Sequence, residues 1–208
     1  VDNVQRIFIA FYGRPADPAG LTFWTNQANE KGIAGVINAF ATSDEAFSLY
    51  GNQATTLFVN RIYLQLFGRD ADASGLKYWT DRIEGLSKTE SRVTKAEAAL
   101  FILNGAQDGD VRQGGTLDLT GINKKVAIAK LFTAAVNTTS EINAYKGDDA
   151  ARLARDYISS INADTVVAEQ NVNTIVAQLE AQFSTTGTTR FFLTPGVDSF
   201  PGTRGADQ

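Results

Sequence analysis

Residues 6–24 read RIFIAFYGRPADPAGLTFW, and 55 positions later residues 61–79 read RIYLQLFGRDADASGLKYW. The two stretches keep Arg, Gly-Arg, Asp, Gly-Leu and Trp in register. Self-similarity of this kind marks a repeated structural unit. A chain built on such a unit is expected to fold by packing like pieces against each other, so the content of one copy constrains the other.

Within the first copy, Val4, Ile7, Phe8, Phe11 and Tyr12 recur at helical spacing, and Gly13 ends that helix. A loop over Gly13 to Pro18 follows. Asp17 is placed to cap the next helix, with Pro18 at its first position, where a missing N–H is harmless. Leu21, Trp24 and Ala28 continue that helix until Glu30-Lys31-Gly32 closes it. Ile33 to Phe40 forms a short helix, and Ser43-Asp44 opens another. After a bridge over Gly51 to Thr56 the second copy runs through a helix at Leu57 to Phe67, with Asp72 in the place of Asp17 and residues 74–83 matching 19–28.

Past a break at Leu86 to Lys88, the Ala-rich stretch Glu90 to Leu103 is expected to be helical, and the polar segment Asn104 to Gly115 a loop or lid. Asn123 to Val136, Asp148 to Ile161 and Ala163 to Phe183 read as further helices. In the last of these, Val166, Val167, Val172, Ile175, Val176 and Leu179 are expected to supply apolar contacts. Six or more amphipathic helices cannot bury their stripes alone, so the fold class is all-α: a multi-helix bundle built from a duplicated unit. Repeat units of about 4–50 and 59–103 and a divergent part, 123–183, make up one helical domain over 1–183. From residue 184 the composition shifts to Thr, Phe, Gly and Asp. The segment 184–208 is expected to be a linker of strand-and-turn character entering the next element of a longer protein.

The chain lacks His, Cys and Met, which removes imidazole bases, thiol nucleophiles and the usual zinc or haem ligands together. Hard oxygen ligands remain, so calcium is the metal this composition accommodates best. A net charge of -4 with scattered basic residues argues against a nucleic-acid partner. No apolar run is long enough to span a bilayer, and no signal peptide is visible. Val1 is not an initiator, so processing or trimming is expected at the start.

Several residues carry two readings. Asp17 and Asp72 fit helix caps better than sugar or calcium contacts, and Arg14 and Arg69 fit a structural lock made with those aspartates or with the ends of the preceding helices. Gly13, Gly20, Gly68 and Gly75 suit tight turns or close helix approach, and Trp24 and Trp79 sit at core spacing from Leu21 and Leu76. Tyr12, Tyr50 and Tyr78 suit a wet edge. With Arg14, Asp17, Arg69 and Asp72 they are the candidate lining of a ligand groove between the units. Asp108 and Asp110 in NGAQDGD are candidate calcium contacts, although the run lacks the spacing of an EF-hand. Asn137-Thr138-Thr139 reads as a helix terminus. No pair of carboxylates is marked by spacing as an acid and a base, and a Ser-His-Asp triad is excluded by the missing His, so catalysis is not expected.

The pattern Gly-Arg-x-x-Asp-x-x-Gly-Leu-x-x-Trp at Gly13 to Trp24 and Gly68 to Trp79, with FATSDEAF at Phe40 to Phe47 and NKKVAIAKLF at Asn123 to Phe132, resembles a bacterial helical family classed as a domain of unknown function. The resemblance covers roughly residues 1–183. That family recurs at the front of secreted surface-layer and calcium-repeat proteins, and a weaker likeness runs to helical linker domains of cyanobacterial light-harvesting assemblies. The resemblance implies an extracellular, cell-surface location and a role anchoring a longer protein to lipopolysaccharide or another surface polysaccharide. It also admits contact with neighbouring copies in a lattice, or a spacer role. The tail resembles the entry to a type-I-secreted calcium-binding β-roll. Gly202 to Asp207 matches one Gly-Gly-x-Gly-x-Asp turn with Thr203 at the second Gly, and this implies calcium contacts at Asp198 and Asp207.

Overall fold

Hydrophobic residues on every side of one short helix set the centre of the molecule. In α1 (Asp2–Tyr12) the side chains of Val4, Gln5 and all residues from Ile7 to Tyr12 are buried, a pattern that places a helix inside a bundle rather than on its surface. The computed structural model describes residues 2–107 and 115–184. Within them the chain is all-helical: α2 (Pro18–Ala41), α3 (Asp44–Tyr50), α4 (Thr55–Phe67), α5 (Ala73–Glu84), α6 (Lys95–Gln107), α7 (Gly115–Ala135), α8 (Thr139–Ala144), α9 (Asp148–Ser159) and α10 (Glu169–Phe183) follow α1.

Helices α1, α4 and α7 pack on one another, α2 lies against α1 and α6, and α5 lies against α4. Helix α10 closes the far side, on α7 and α8. One core cluster runs through all of this, from Val4 to Leu179, with Phe40, Phe58, Ile62, Leu66, Ile122 and Phe132 fully buried. No strand occurs among the described residues.

The two motif copies make matching local structures. Gly13 (φ 68°) and Gly68 (φ 71°) end α1 and α4 in the left-handed region, where a side chain would be strained. The Asp17 carboxylate accepts from the Gly20 N–H at 2.7 Å, and that of Asp72 accepts from the Ser74 and Gly75 N–H groups at 3.0 and 2.9 Å. The next glycine of the motif is explained by close approach. A Cβ at Gly20 would stand 2.5 Å from the Asp17 carboxylate, and one at Gly75 would stand 2.9 Å from the Tyr63 hydroxyl. The buried amide of Gln5 accepts from the Ala16 N–H at 3.0 Å, and Asn60, 55 residues later, accepts from the Ala71 N–H at 3.1 Å. Thr25 and Thr80, again 55 apart, each bury a hydroxyl with no hydrogen-bond partner among the described residues.

Several boundaries differ from the sequence expectation. The two helices expected between Pro18 and Phe40 are joined end to end as α2, and a non-helical backbone at Gly32 (φ 74°, ψ 169°) kinks it where the expected break lies. Helix α6 starts at Lys95 rather than Glu90, because Thr94 and Glu97 form a reciprocal cap: the Thr94 hydroxyl accepts from the Glu97 N–H, and the Glu97 carboxylate accepts from the Thr94 N–H and hydroxyl. It then runs to Gln107, so Asn104 to Gln107 is helical and not loop. The expected helix at Ala163 to Phe183 begins only at Glu169. Val166 and Val167 precede it in irregular chain and are exposed, so they do not supply the expected core contacts. Helix α8 is additional, and its cap is the expected terminus at Asn137 to Thr139: Thr138 and Glu141 form a capping box, while Asn137 donates to the last carbonyls of α7.

Candidate functional site

Most of the motif's polar groups are engaged by partners within the chain. The Arg14 guanidinium makes a two-pronged contact with Glu45 of α3, at 2.7 and 2.6 Å, and donates to the Pro15 carbonyl at 3.0 Å. Arg155 of α9 reaches the same carboxylate at 3.0 Å. Burial by itself would lower the Arg14 pKa, but the Glu45 charge and the Tyr145 ring beside it more than offset this and hold Arg14 above its ordinary range. The rings of Phe8, Tyr12 and Tyr145 surround the guanidinium, the Tyr145 hydroxyl donates to the Pro15 carbonyl at 2.7 Å, and burial pushes the Tyr145 phenol up to about 12.

The second copy repeats this with a different partner. Arg69 pairs with Asp118 of α7 at 2.6 Å and donates to the Asp70 carbonyl at 3.3 Å, its guanidinium lying over Tyr63 and Phe67. The sequence expectation pairs these arginines with Asp17 and Asp72 or with helix ends. The hydrogen-bonded carboxylates instead come from α3 and α7, because both aspartates face their own helix N-termini as caps.

The tyrosines divide. Tyr12 is buried, stacks on Phe40 at 4.6 Å between ring centres, and shares a hydrogen bond with Ser43 at 2.9 Å. Tyr50 is buried too, its one O–H shared between the Phe11 carbonyl and Gln65 Oε1. Burial raises both phenols well above the ordinary tyrosine range. Neither offers a wet edge, and the expected groove rim at Tyr12 and Tyr50 is corrected accordingly: their faces pack inside the core.

Tyr78 is the exception, 42% exposed on α5. It meets Trp79 edge-on at 4.9 Å, and Trp79 in turn lies nearly parallel to Phe101 of α6, at 6.4 Å and 12° between planes. Arg82, one turn after Tyr78, sets its guanidinium over all three rings, at 5.6 Å from Tyr78, 5.5 Å from Trp79 and 5.3 Å from Phe101. It donates to the Tyr78 hydroxyl at 3.2 Å and to the Ser91 carbonyl at 3.4 Å. Phe101 is also 42% exposed. Neither Arg82 nor Phe101 is among the residues that the sequence reading marks. The i, i+4 spacing of Tyr78 and Arg82 is a signal that points to the arginine, whereas Phe101 comes from another helix and no local pattern announces it.

Trp24, at the corresponding place in the first copy, meets Phe23 edge-on at 4.9 Å but turns its other side to Phe40, at 4.9 Å, in the core. The chain after Gly32 is helical again and brings Phe40 inward, whereas residues 86–94, LSKTESRVT, contain no aromatic and form no helix.

Two shallow depressions lie elsewhere, on α9 and α10. One, of about 320 Å³, is floored by Ile128, Tyr157 and Ile175; the other, of about 420 Å³, is bordered by Asp149, Arg152 and Phe183. None of the expected glycan residues lines either. No cluster of three or more acidic side chains able to hold a metal ion occurs among the described residues, and Asp108, Asp110, Asp198 and Asp207 lie outside them, as does the segment 185–208 expected to begin a β-roll. Among the described residues no helix is long and apolar enough to cross a membrane.

No curated protein and no solved structure matches the chain. Residues 37–98, from the end of α2 to the start of α6, match the family described as a domain of unknown function, DUF4214; the matched span holds the motif copy at Gly68 to Trp79 and leaves the copy at Gly13 to Trp24 outside it.

Proposed function

We propose that this chain is a non-catalytic anchoring domain of a secreted, surface-layer-type bacterial protein, and that it holds the longer protein at the cell surface by binding lipopolysaccharide O-polysaccharide or another surface glycan. The domain spans 1–183 and is built from a duplicated helix–loop–helix unit. The match to a helical family of unknown function over 37–98 is compatible with this and does not name a ligand. The observation that carries the proposal is the contrast between satisfied and exposed groups. The motif's arginines and caps are engaged within the chain, while Tyr78 and Phe101 remain in solvent beside Arg82. Aromatic rings with a polar edge are suited to a sugar, which presents apolar C–H faces and hydroxyls together. Calcium bridges acidic protein groups to anionic sugar or phosphate.

A pull-down with purified lipopolysaccharide tests the proposal, comparing preparations with and without O-polysaccharide, each with calcium and with EDTA. Retention only when O-polysaccharide is present is the expected result. No retention on intact lipopolysaccharide in calcium overturns the anchor.

A second reading, a lattice-assembly module, is favoured by Leu57 and Leu64. These lie seven residues apart on one face of α4, and both are exposed. Calcium-dependent self-association in sedimentation, without glycan retention, supports that reading instead.

A further inference from the structure

We infer that Tyr78, Trp79, Arg82 and Phe101 form the sugar-contacting site of this domain, and that the site takes a pyranose ring carrying oxygen acceptors, hydroxyl or carboxylate. The inference rests on the glycan-binding proposal above and assigns its place.

Three observations carry it. First, the cluster joins two helices: Tyr78, Trp79 and Arg82 come from α5 and Phe101 from α6, so the rings are held by the fold rather than by one flexible segment. Second, the cation is unlike the arginines of the motif. Arg14 and Arg69 each hold a carboxylate at 2.6 Å, whereas Arg82 makes no ion pair among the described residues and donates only to a phenol and a carbonyl. A guanidinium has five N–H donors in a flat fork, so Arg82 keeps donors for a ligand while its face lies on the rings. Third, the corresponding position in the first copy, 55 residues earlier, is Gln27, and Trp24 there packs on buried Phe40. The platform is therefore a property of the second copy and not of the motif.

The chemistry narrows the ligand. Aromatic faces also attract quaternary ammonium groups and nucleobases. Arg82 at the centre of the rings repels a cation, and a chain of net charge -4 is poorly suited to a polyanionic nucleic acid backbone. A pyranose satisfies both halves of the site, with its C–H face on the rings and its oxygens toward the guanidinium.

The test uses Trp24→Phe, which leaves Trp79 as the chain's remaining tryptophan. Its fluorescence is followed during titration with two probes: O-polysaccharide released from the lipopolysaccharide of the producing strain, and the same material with its carboxylates reduced to alcohols. Saturable change of the Trp79 signal is expected, with at least tenfold weaker binding in Arg82→Ala and in Phe101→Ala, and unchanged binding in Phe23→Ala, an exposed aromatic of the first copy. Thermal melts of the same variants show whether a loss comes from unfolding, and Arg82→Lys, which keeps charge but not the fork, is expected to recover only part of the affinity. Equal binding of the two probes identifies hydroxyls as the acceptors, and loss on reduction identifies a carboxylate; both support the site. Full affinity in Arg82→Ala and Phe101→Ala overturns the site and leaves the glycan proposal standing. Absence of binding by the unaltered chain to either probe overturns both.

Discussion

The two copies of the motif make the same glycine turn and aspartate cap and differ in what they enclose. In the first, Arg14 is 14% exposed and shares Glu45 with Arg155, and Trp24 packs on fully buried Phe40. In the second, Arg69 is 35% exposed with Asp118 as its partner, and Trp79 lies beside half-exposed Phe101 under Arg82. The difference shows that a repeated joint between helices can serve as a core lock in one place and leave a surface in another. Both tryptophans are partly buried against the core, and what differs is the ring beside each: fully buried Phe40 in the first copy and half-exposed Phe101 in the second.

Removing the carboxylate of each lock breaks the comparison most sharply. Glu45→Ala strands two largely buried guanidinium groups and is expected to destabilise the chain by about 3–5 kcal/mol, whereas Asp118→Ala, beside the more exposed Arg69, should cost about 1 kcal/mol or less. Urea unfolding of both variants measures the gap, and equal losses would show that the two locks are energetically alike.

A smaller effect is expected at the amides behind the loops. Gln5 is fully buried and also donates to the Ala129 carbonyl and the Thr133 hydroxyl, at 2.8 and 2.7 Å, so Gln5→Ala leaves several groups unpaired and should cost about 2–3 kcal/mol. Asn60→Ala removes the acceptor for the Ala71 N–H and should cost about 1 kcal/mol. The ordering of the two midpoints is the check.

Between α7 and α4, Lys125 is 1% exposed and donates to the Gln65 carbonyl at 2.8 Å. Burial lowers its pKa to about 8. Between that value and the ordinary lysine range the unfolded chain binds the extra proton, so this residue's contribution to stability rises with pH through that window and is lost as pH falls to about 8. Lys125→Met should therefore stabilise the chain at neutral pH, by about 1–3 kcal/mol, and should flatten the alkaline rise. A lower melting point at pH 7 in the variant would contradict this account.

The smallest effect is expected at the caps. Asp17→Ala and Asp72→Ala should each cost about 1 kcal/mol, with Asp72 the larger because it accepts from two backbone N–H groups and the Ser74 hydroxyl. Those bonds also hold the Asp72 carboxyl below the ordinary range, first through Ser74 and then through the Gly75 N–H. Its contribution is present above the ordinary carboxylate pKa and is lost as pH falls through the lowered value, so the difference between Asp72→Ala and the unaltered chain should shrink in acid.

Much of this architecture is legible in the chain. Helix starts at Pro18, Asp44 and Ala73 follow from Asp17, Ser43 and Asp72, each accepting from a backbone N–H three residues on. Two expectations fail for different reasons: the apolar run before Glu169 looks helical although no side-chain cap marks where the helix starts, and at α6 the Thr94–Glu97 cap overrides the Ala-rich run and moves the start to Lys95. The tyrosines fail for another reason. Tyr12, Tyr50 and Tyr78 have similar chemistry and differ in burial alone, a quantity set by elements distant in sequence.

The sequence alone determined the joint: a left-handed Gly and a capping Asp act within a few residues, so their spacing suffices to specify them. The tertiary structure alone decided what each joint is locked to and which aromatics remain outside. Glu45 lies 31 residues from Arg14, Asp118 lies 49 from Arg69, and Ala129 lies 124 from Gln5. Such partners meet only when helices pack, because the burial that selects them is a property of the whole core and not of any stretch of chain.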